Sequence, residues 1–254
     1  MALLEIVGLN RAFGGLQAVS NVGFSVSAGM IKGIIGPNGA GKTTLFNLIS
    51  GLTAPQSGSI VFDNKSIHGL PPHEIAGRGI IRTFQNIKLF AKMTVLENVM
   101  IGVHRNSQAG FFSGLFNTPR CWPEEIRIRR KALDMLDFLS VAHLAGCDAS
   151  GLAFGQQRHV ELARALAAQP RLLLLDEPAA GLNMRETEQL GIVIGKIRDL
   201  GITVLLVEHD MSLVMNVSDE INVLCFGRMI AEGKPREIQK NPEVIKVYLG
   251  DDHA

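Results

Sequence analysis

Across 254 residues the chain carries 25 Lys plus Arg against 24 Asp plus Glu, a formal charge of +1 that argues against a general nucleic-acid coat or a polybasic membrane anchor. Hydrophobic residues at 46% and charged residues at 19% exclude a disordered chain, and no apolar run nears the roughly 20 residues of a membrane span. Three widely spaced cysteines (Cys121, Cys147, Cys225), and an opening Met1 to Val7 without a secretory pattern, predict a soluble protein of a reducing, cytoplasmic compartment with no metal cluster.

In chain order, the first third reads as strands. Leu3 to Leu9, Gly23 to Val26, Ile31 to Ile35 and Ile60 to Phe62 are short apolar or alternating segments, punctuated by Gly14-Gly15, Ala28-Gly29 and Ser57-Gly58. Thr43 to Ile49 is an apolar helical stretch. From about Phe90 to Gly151 helical patterns dominate: Ile126, Leu133, Leu136 and Leu139 fall at helical spacing within Glu124 to Leu139, with Arg127 to Lys131 on a charged face that reads as solvated. An αβ rhythm returns with a helix over Gln156 to Ala168, a strand over Leu172 to Leu175, a helix over Glu186 to Leu200, and strands over Thr203 to Val207 and Ile221 to Leu224. Phe226-Gly227-Arg228 reads as a hairpin turn into Met229 to Ala231. This alternation predicts a mostly parallel, helix-covered sheet with an inserted helical subdomain.

Gly36-Pro37-Asn38-Gly39-Ala40-Gly41-Lys42-Thr43, continued by Thr44, satisfies G-x-x-x-x-G-K-[ST] between a strand and a helix. The glycines let backbone N–H groups turn toward phosphate oxygens, and the helix start adds its partial positive charge. Lys42 reaches the β- and γ-phosphates and Thr43 offers a hydroxyl to Mg²⁺. In the second half, Leu172 to Leu175 ends in Asp176-Glu177. A carboxylate at the end of a buried strand can hold Mg²⁺, and the next one can orient or activate water.

Leu152-Ala153-Phe154-Gly155-Gln156 stands before that strand, and here the sequence resembles the ATP-binding-cassette (ABC) ATPases, whose signature is L-S-G-G-Q. Leu152, Gly155 and Gln156 match; Ala153 replaces the usual Ser and Phe154 a Gly. The resemblance implies that Gln85, after the strand Gly79 to Thr83, touches Mg²⁺ and the attacking water. It implies that His209 holds the γ-phosphate and the water, and that Phe13 stacks on adenine. Asn183, in Ala180-Gly181-Leu182-Asn183, stands where the family usually has Asp. The implied fold is a P-loop NTPase (RecA-like) α/β core, residues 1–89 and 160–254, with N-terminal antiparallel β strands and an inserted α-helical subdomain at 90–159.

Phe13 to Val19, Arg82-Thr83-Phe84-Gln85, Asp176 to Asn183 and Asn241 to Gly250 look like the branch that powers high-affinity importers of branched-chain amino acids, with relatives serving urea and short amides. That branch also carries an aromatic residue at the position of Phe154. The resemblance implies an ATPase subunit peripheral to the cytoplasmic face of a bacterial-type inner membrane. It implies a head-to-tail dimer with an identical or paralogous cassette, ATP and Mg²⁺ held between the two, and membrane permease subunits served by a solute-binding protein. Nucleic acid is not an expected partner. A DNA-maintenance ATPase with the same head would insert long heptads, and Asn86 to Gly151 has none sustained. A non-transport cassette of cofactor assembly or translation fits the C-terminal ending less well, and a phosphate-loop kinase would not need Leu152 to Gln156. The remaining histidines, His68, His73, His104, His143, His159 and His253, lack ligand spacing. One aromatic, glycine-rich stretch, Ala109 to Phe116, reads either as a loop folded onto its own subdomain or as a surface that packs near a membrane subunit or the bilayer.

Overall fold

The structure is a computed structural model that describes residues 2–104 and 122–249. The aromatic stretch Ala109 to Phe116 lies outside the described residues. The chain forms two compact units, Met1–Arg82 with Arg171–Ala254, and Thr83–Pro170.

The first unit holds two sheets. Strands β1 (Ala2–Phe13) and β2 (Leu16–Ser27) form an antiparallel hairpin across Gly14, whose φ of +57° suits glycine. With β4 (Ser57–Phe62) and β5 (Lys65–Ser66) they make a four-stranded antiparallel sheet in the order β2-β1-β4-β5. Leu4, Ile6 and Leu9 of β1 and Val22, Phe24 and Val26 of β2 are buried between more exposed neighbours, the alternation of a half-covered sheet. The expected strand Leu3 to Leu9 is longer than its apolar core. The register shifts between Ile6 and Leu9, and pairing then resumes through Arg11, Ala12 and Phe13.

The second sheet contains β3 (Ile31–Ile35), β6 (Ile80–Arg82), β7 (Leu172–Asp176), β8 (Thr203–Val207), β9 (Glu220–Cys225) and β10 (Arg228–Gly233), ordered β10-β9-β3-β8-β7-β6. All pairs are parallel except β9 with β10. Every residue of β3, β7 and β8 is buried, which is why these strands read as unbroken apolar runs. The polar exceptions are Thr203 and Asp176 at strand ends and, within β3, Lys32, whose charge is met by Ser25 O (2.7 Å), Glu220 (3.0 Å) and Glu232. Because β3, β7 and β8 are parallel neighbours, the residues that leave their C-terminal ends emerge at one edge of the sheet. Helices α1 (Lys42–Ile49) and α2 (Pro72–Gly77) complete the N-terminal part of the unit.

The second unit packs α3 (Val95–His104), α4 (Trp122–Phe138) and α5 (Phe154–Ala167) against one another. Gly102 allows the closest approach: a Cβ there would lie 2.1 Å from Arg164 O. Asn98 is fully buried and bonds the backbone of Phe90 in both directions, closing the turn that leads into α3. The insert read from the sequence as 90–159 would cut α5 in its second turn. The helix packs on α3 and α5 thus belongs as a whole to the unit Thr83–Pro170. The first unit continues after β7 with α6 (Met184–Asp199), α7 (Met211–Val217), α8 (Pro235–Ile238) and α9 (Pro242–Leu249). The whole is the P-loop α/β core with antiparallel N-terminal strands and a helical subdomain.

Candidate functional site

The loop between β3 and α1 is set by sterics. Gly36 has φ +154° and a Cβ there would sit 2.1 Å from Leu224 O; Gly41 has φ +99° and its Cβ would sit 2.3 Å from Ala18 O. No side chain caps the start of α1, so the amides of its first turn face outward with the helix's positive end. Lys42 is buried, and its Nζ donates to Gly36 O (2.6 Å) and Pro37 O (3.1 Å), bending the side chain back over the loop. Burial lowers its pKa, while the charges of Glu177 and Asp176 pull it upward. A cavity of about 390 Å³ opens here, walled by Asn38 to Thr44, by Phe13 and Leu16 to Ala18 of the hairpin, and by Glu177 and Phe226.

Phe13 is half-exposed in that cavity, with the Arg11 guanidinium 4.7 Å from its ring centre. Phe226, which the sequence marks only as part of a turn, is also exposed there. Its neighbour Gly227 fixes the turn by donating to Ala40 O (3.0 Å) and accepting from Ser20 N (2.8 Å).

Asp176 ends β7 and is buried. Its Oδ2 accepts from Arg82 Nη2 at 2.7 Å, leaving Oδ1 outside the pair, and Arg82 also donates to Asn47 Oδ1 and Ser50 Oγ of the segment closing α1. Glu177 follows with φ +47°, a left-handed backbone rare for a side-chain-bearing residue. Its N–H donates to Val207 O at 2.8 Å, extending the β7–β8 ladder by one bond. The turn aims the carboxylate into the cavity instead of along the pleat. His209, exposed after β8, places Nδ1 3.8 Å from Glu177 Oε2. Thus the first unit brings together Phe13, Gly36 to Thr44, Asp176, Glu177 and His209.

Leu152 to Gln156 and Gln85 belong to the second unit. Ala153 precedes α5 without a side-chain acceptor; the Gln156 side chain instead accepts the Ala153 N–H at 3.1 Å, and Gln157 donates to Leu152 O at 2.9 Å. The start of α5 is therefore an uncapped helix end. One turn on, Arg158 is fully buried and pairs with Glu161 at 2.8 Å. It also donates to Phe84 O (3.1 Å) and Gln85 O (3.0 Å), holding the backbone of Gln85 to α5. The sequence gives no sign of this clamp beyond an Arg and a Glu three apart on a helix. Arg158→Ala would remove the direct ion pair of buried Glu161, leaving it only the Lys88 N–H and the more distant Arg164 charge, and would free the carbonyls of Phe84 and Gln85, a clear destabilisation. Hydrogen exchange along α5 is expected to accelerate accordingly, and unchanged protection would contradict the clamp.

A parallel sheet whose central strand runs into a glycine-walled anion cradle, facing a strand-end acid pair and a histidine, defines a nucleotide-hydrolysing cassette. The chain belongs to the ABC transporter family: the model described as "ABC transporter" matches residues 19–180. It binds nucleotide and is an ATPase whose hydrolysis is coupled to transport. A second model, "Branched-chain amino acid ATP-binding cassette transporter", matches residues 228–254. Among curated relatives, the high-affinity branched-chain amino acid transport ATP-binding protein BraF of Pseudomonas aeruginosa is 46% identical over 250 residues, 98% of each chain. Among solved structures, a nucleotide-free ATP-binding cassette from an ABC transporter superposes with a TM-score of 0.86 at 34% identity, covering 99% of this chain and 100% of that one. A dimeric cassette in a post-hydrolysis state bound to ADP and Pi superposes with a TM-score of 0.77 at 27% identity, covering 92% and 99%.

Proposed function

We propose that this chain energises uptake of branched-chain amino acids, as one of two cassettes, identical or paralogous, that drive membrane permease subunits supplied by a solute-binding protein. The observation that carries the solute class is the full-length likeness to BraF together with the match over residues 228–254. No helix among the described residues is long and apolar enough to cross a membrane, so the translocation path is assigned to other subunits. The chain then works from the cytoplasmic face as a peripheral subunit.

In this reading Phe13 stacks on adenine and the amides from Gly39 to Thr44 hold the phosphates, with Lys42 against the β- and γ-oxygens. Thr43 and Asp176 are the residues of the first unit that would hold Mg²⁺, and the family resemblance assigns Gln85 to the same ion; an exposed Thr43 and a buried carboxylate at the end of β7 are hard oxygen donors that suit it. The ion, when bound, offsets phosphate charge. Glu177 accepts a proton from water as the water oxygen bonds to the γ-phosphorus and the bond to the bridging oxygen breaks. His209 donates to a γ-phosphate oxygen. Leu152 to Gln156 of the partner cassette close over the γ-phosphate. With Ala at 153 no hydroxyl is offered, and the uncapped amides of α5 supply the donors. A bound triphosphate then favours the closed pair, and hydrolysis releases it.

The test is uptake of radiolabelled solutes in the source organism after disruption of this gene. Saturable leucine, isoleucine and valine uptake is expected to be lost and to return with the intact gene. Loss of urea or short-amide uptake instead, with leucine uptake intact, would move the solute assignment to those relatives' class.

A further inference from the structure

Glu208 follows β8 and is fully buried, yet the roles above leave it unused. Its two oxygens face different segments. Oε1 accepts the Ala179 N–H at 2.7 Å, two residues after Glu177. Oε2 accepts the His209 N–H at 2.9 Å and the Asp210 N–H at 3.3 Å, and the His209 ring nitrogen stands 3.6 Å from it. Burial pushes the Glu208 carboxyl pKa up, while the three N–H donors and His209 pull it down. A charge so placed is costly unless its hydrogen bonds are met, and an apolar side chain of similar size would leave those three donors unanswered. The bond from Glu177 N–H to Val207 O is the last of the strand pairing, and past it Glu208 spans the two segments.

Resting on the reading of Glu177 and His209 given above, we propose that Glu208 is a positioning residue for hydrolysis: its carboxylate ties the segment after Glu177 and the segment carrying His209 to one rigid group, and so fixes the spacing between the side chains that act on the attacking water and the γ-phosphate. Misplacement of reacting groups by about 1 Å can cost on the order of 10²-fold in rate. Glu208 is not among the residues that line the cavity, so its effect is expected on turnover more than on binding.

Glu208→Gln is the first test. It keeps the shape but offers a single oxygen, so its NH₂ opposes the N–H donors of one arm. In the purified full chain, kcat for ATP is expected to fall at least about tenfold while KM stays within about twofold. Combined with His209→Ala, the loss is expected to be smaller than the product of the two single losses, because both act on one arrangement. Should Glu208→Gln fail to fold, Glu208→Asp is assayed the same way; it keeps the charge but is one methylene too short to reach both arms. A folded variant with kcat within twofold of the unmodified chain overturns the proposal, whatever its KM or melting temperature. So do losses that simply multiply in the double variant, which would mark a general structural role. Glu177→Gln assayed alongside separates the two readings. If it is slow while Glu208→Gln is not, only the positioning role falls; if it turns over normally, the assignment of Glu177 falls as well.

Discussion

Glu177→Gln is expected to bind ATP with unchanged affinity, to hydrolyse it about 10²- to 10⁴-fold more slowly, and to accumulate as a nucleotide-bound dimer. The geometry gives the reason. The left-handed turn at Glu177 sends its carboxylate to the wall of the cavity opposite the loop Asn38 to Thr44, near the His209 ring. Glutamine keeps the shape and cannot take a proton from water. Phosphate release, nucleotide titration and sedimentation on the same sample read the three parts separately. Near-normal phosphate release would remove Glu177 from the chemistry, and a monomer saturated with ATP would remove the closed pair.

Gly41→Ala should be nearly as damaging, through binding instead of chemistry. A Cβ at Gly41 meets Ala18 O at 2.3 Å, and that oxygen belongs to backbone that cannot swing aside. The φ of +99° adds strain of about 1–3 kcal/mol. Both effects displace the amides that lead into Lys42, and charge-assisted hydrogen bonds are worth about 1.5–3 kcal/mol each. ATP affinity is expected to drop by at least about tenfold, read by calorimetric titration. Gly39→Ala is the control: its φ is +79°, but nothing lies within 4 Å of the added Cβ. It carries the backbone strain without the collision and should lose distinctly less affinity. Equal losses would show that conformation alone, and not the fit against Ala18, sets the loop.

The nucleotide loop and the three buried strands were legible because their chemistry is local. Gly36 to Thr43 is one continuous motif, and strands covered on both faces are apolar throughout. The boundaries were less so. The antiparallel strand β1 runs to Phe13 although its apolar pattern fades after Leu9, because the hairpin pairing with β2 carries it onward past a register shift. Short helices such as α2, with six residues, hold too few periods to read. Least legible were the polar clamps. Arg82 meets Asp176 across 94 positions, and Arg158 meets the carbonyls of Phe84 and Gln85 across 74 and 73. Nothing local marks such pairs, since each is made by the packing of distant segments. Glu208 is of the same kind: in sequence it is an acid ending a strand, and only its burial and its two-armed bonding set it apart.

The order of strands in the parallel sheet also governs how the polypeptide can be born. β3, made early, has as its neighbours β8 and β9, which leave the ribosome only after the whole helical unit has been synthesised. Until Thr203 to Val207 emerges, Ile31 to Ile35 has no native strand partner, and its second edge waits for Glu220 to Cys225, whereas α3, α4 and α5 find their contacts within their own stretch of chain. The nascent protein must therefore shelter an unpaired central strand through most of its synthesis, a hazard that slow, long-range sheet closure always brings.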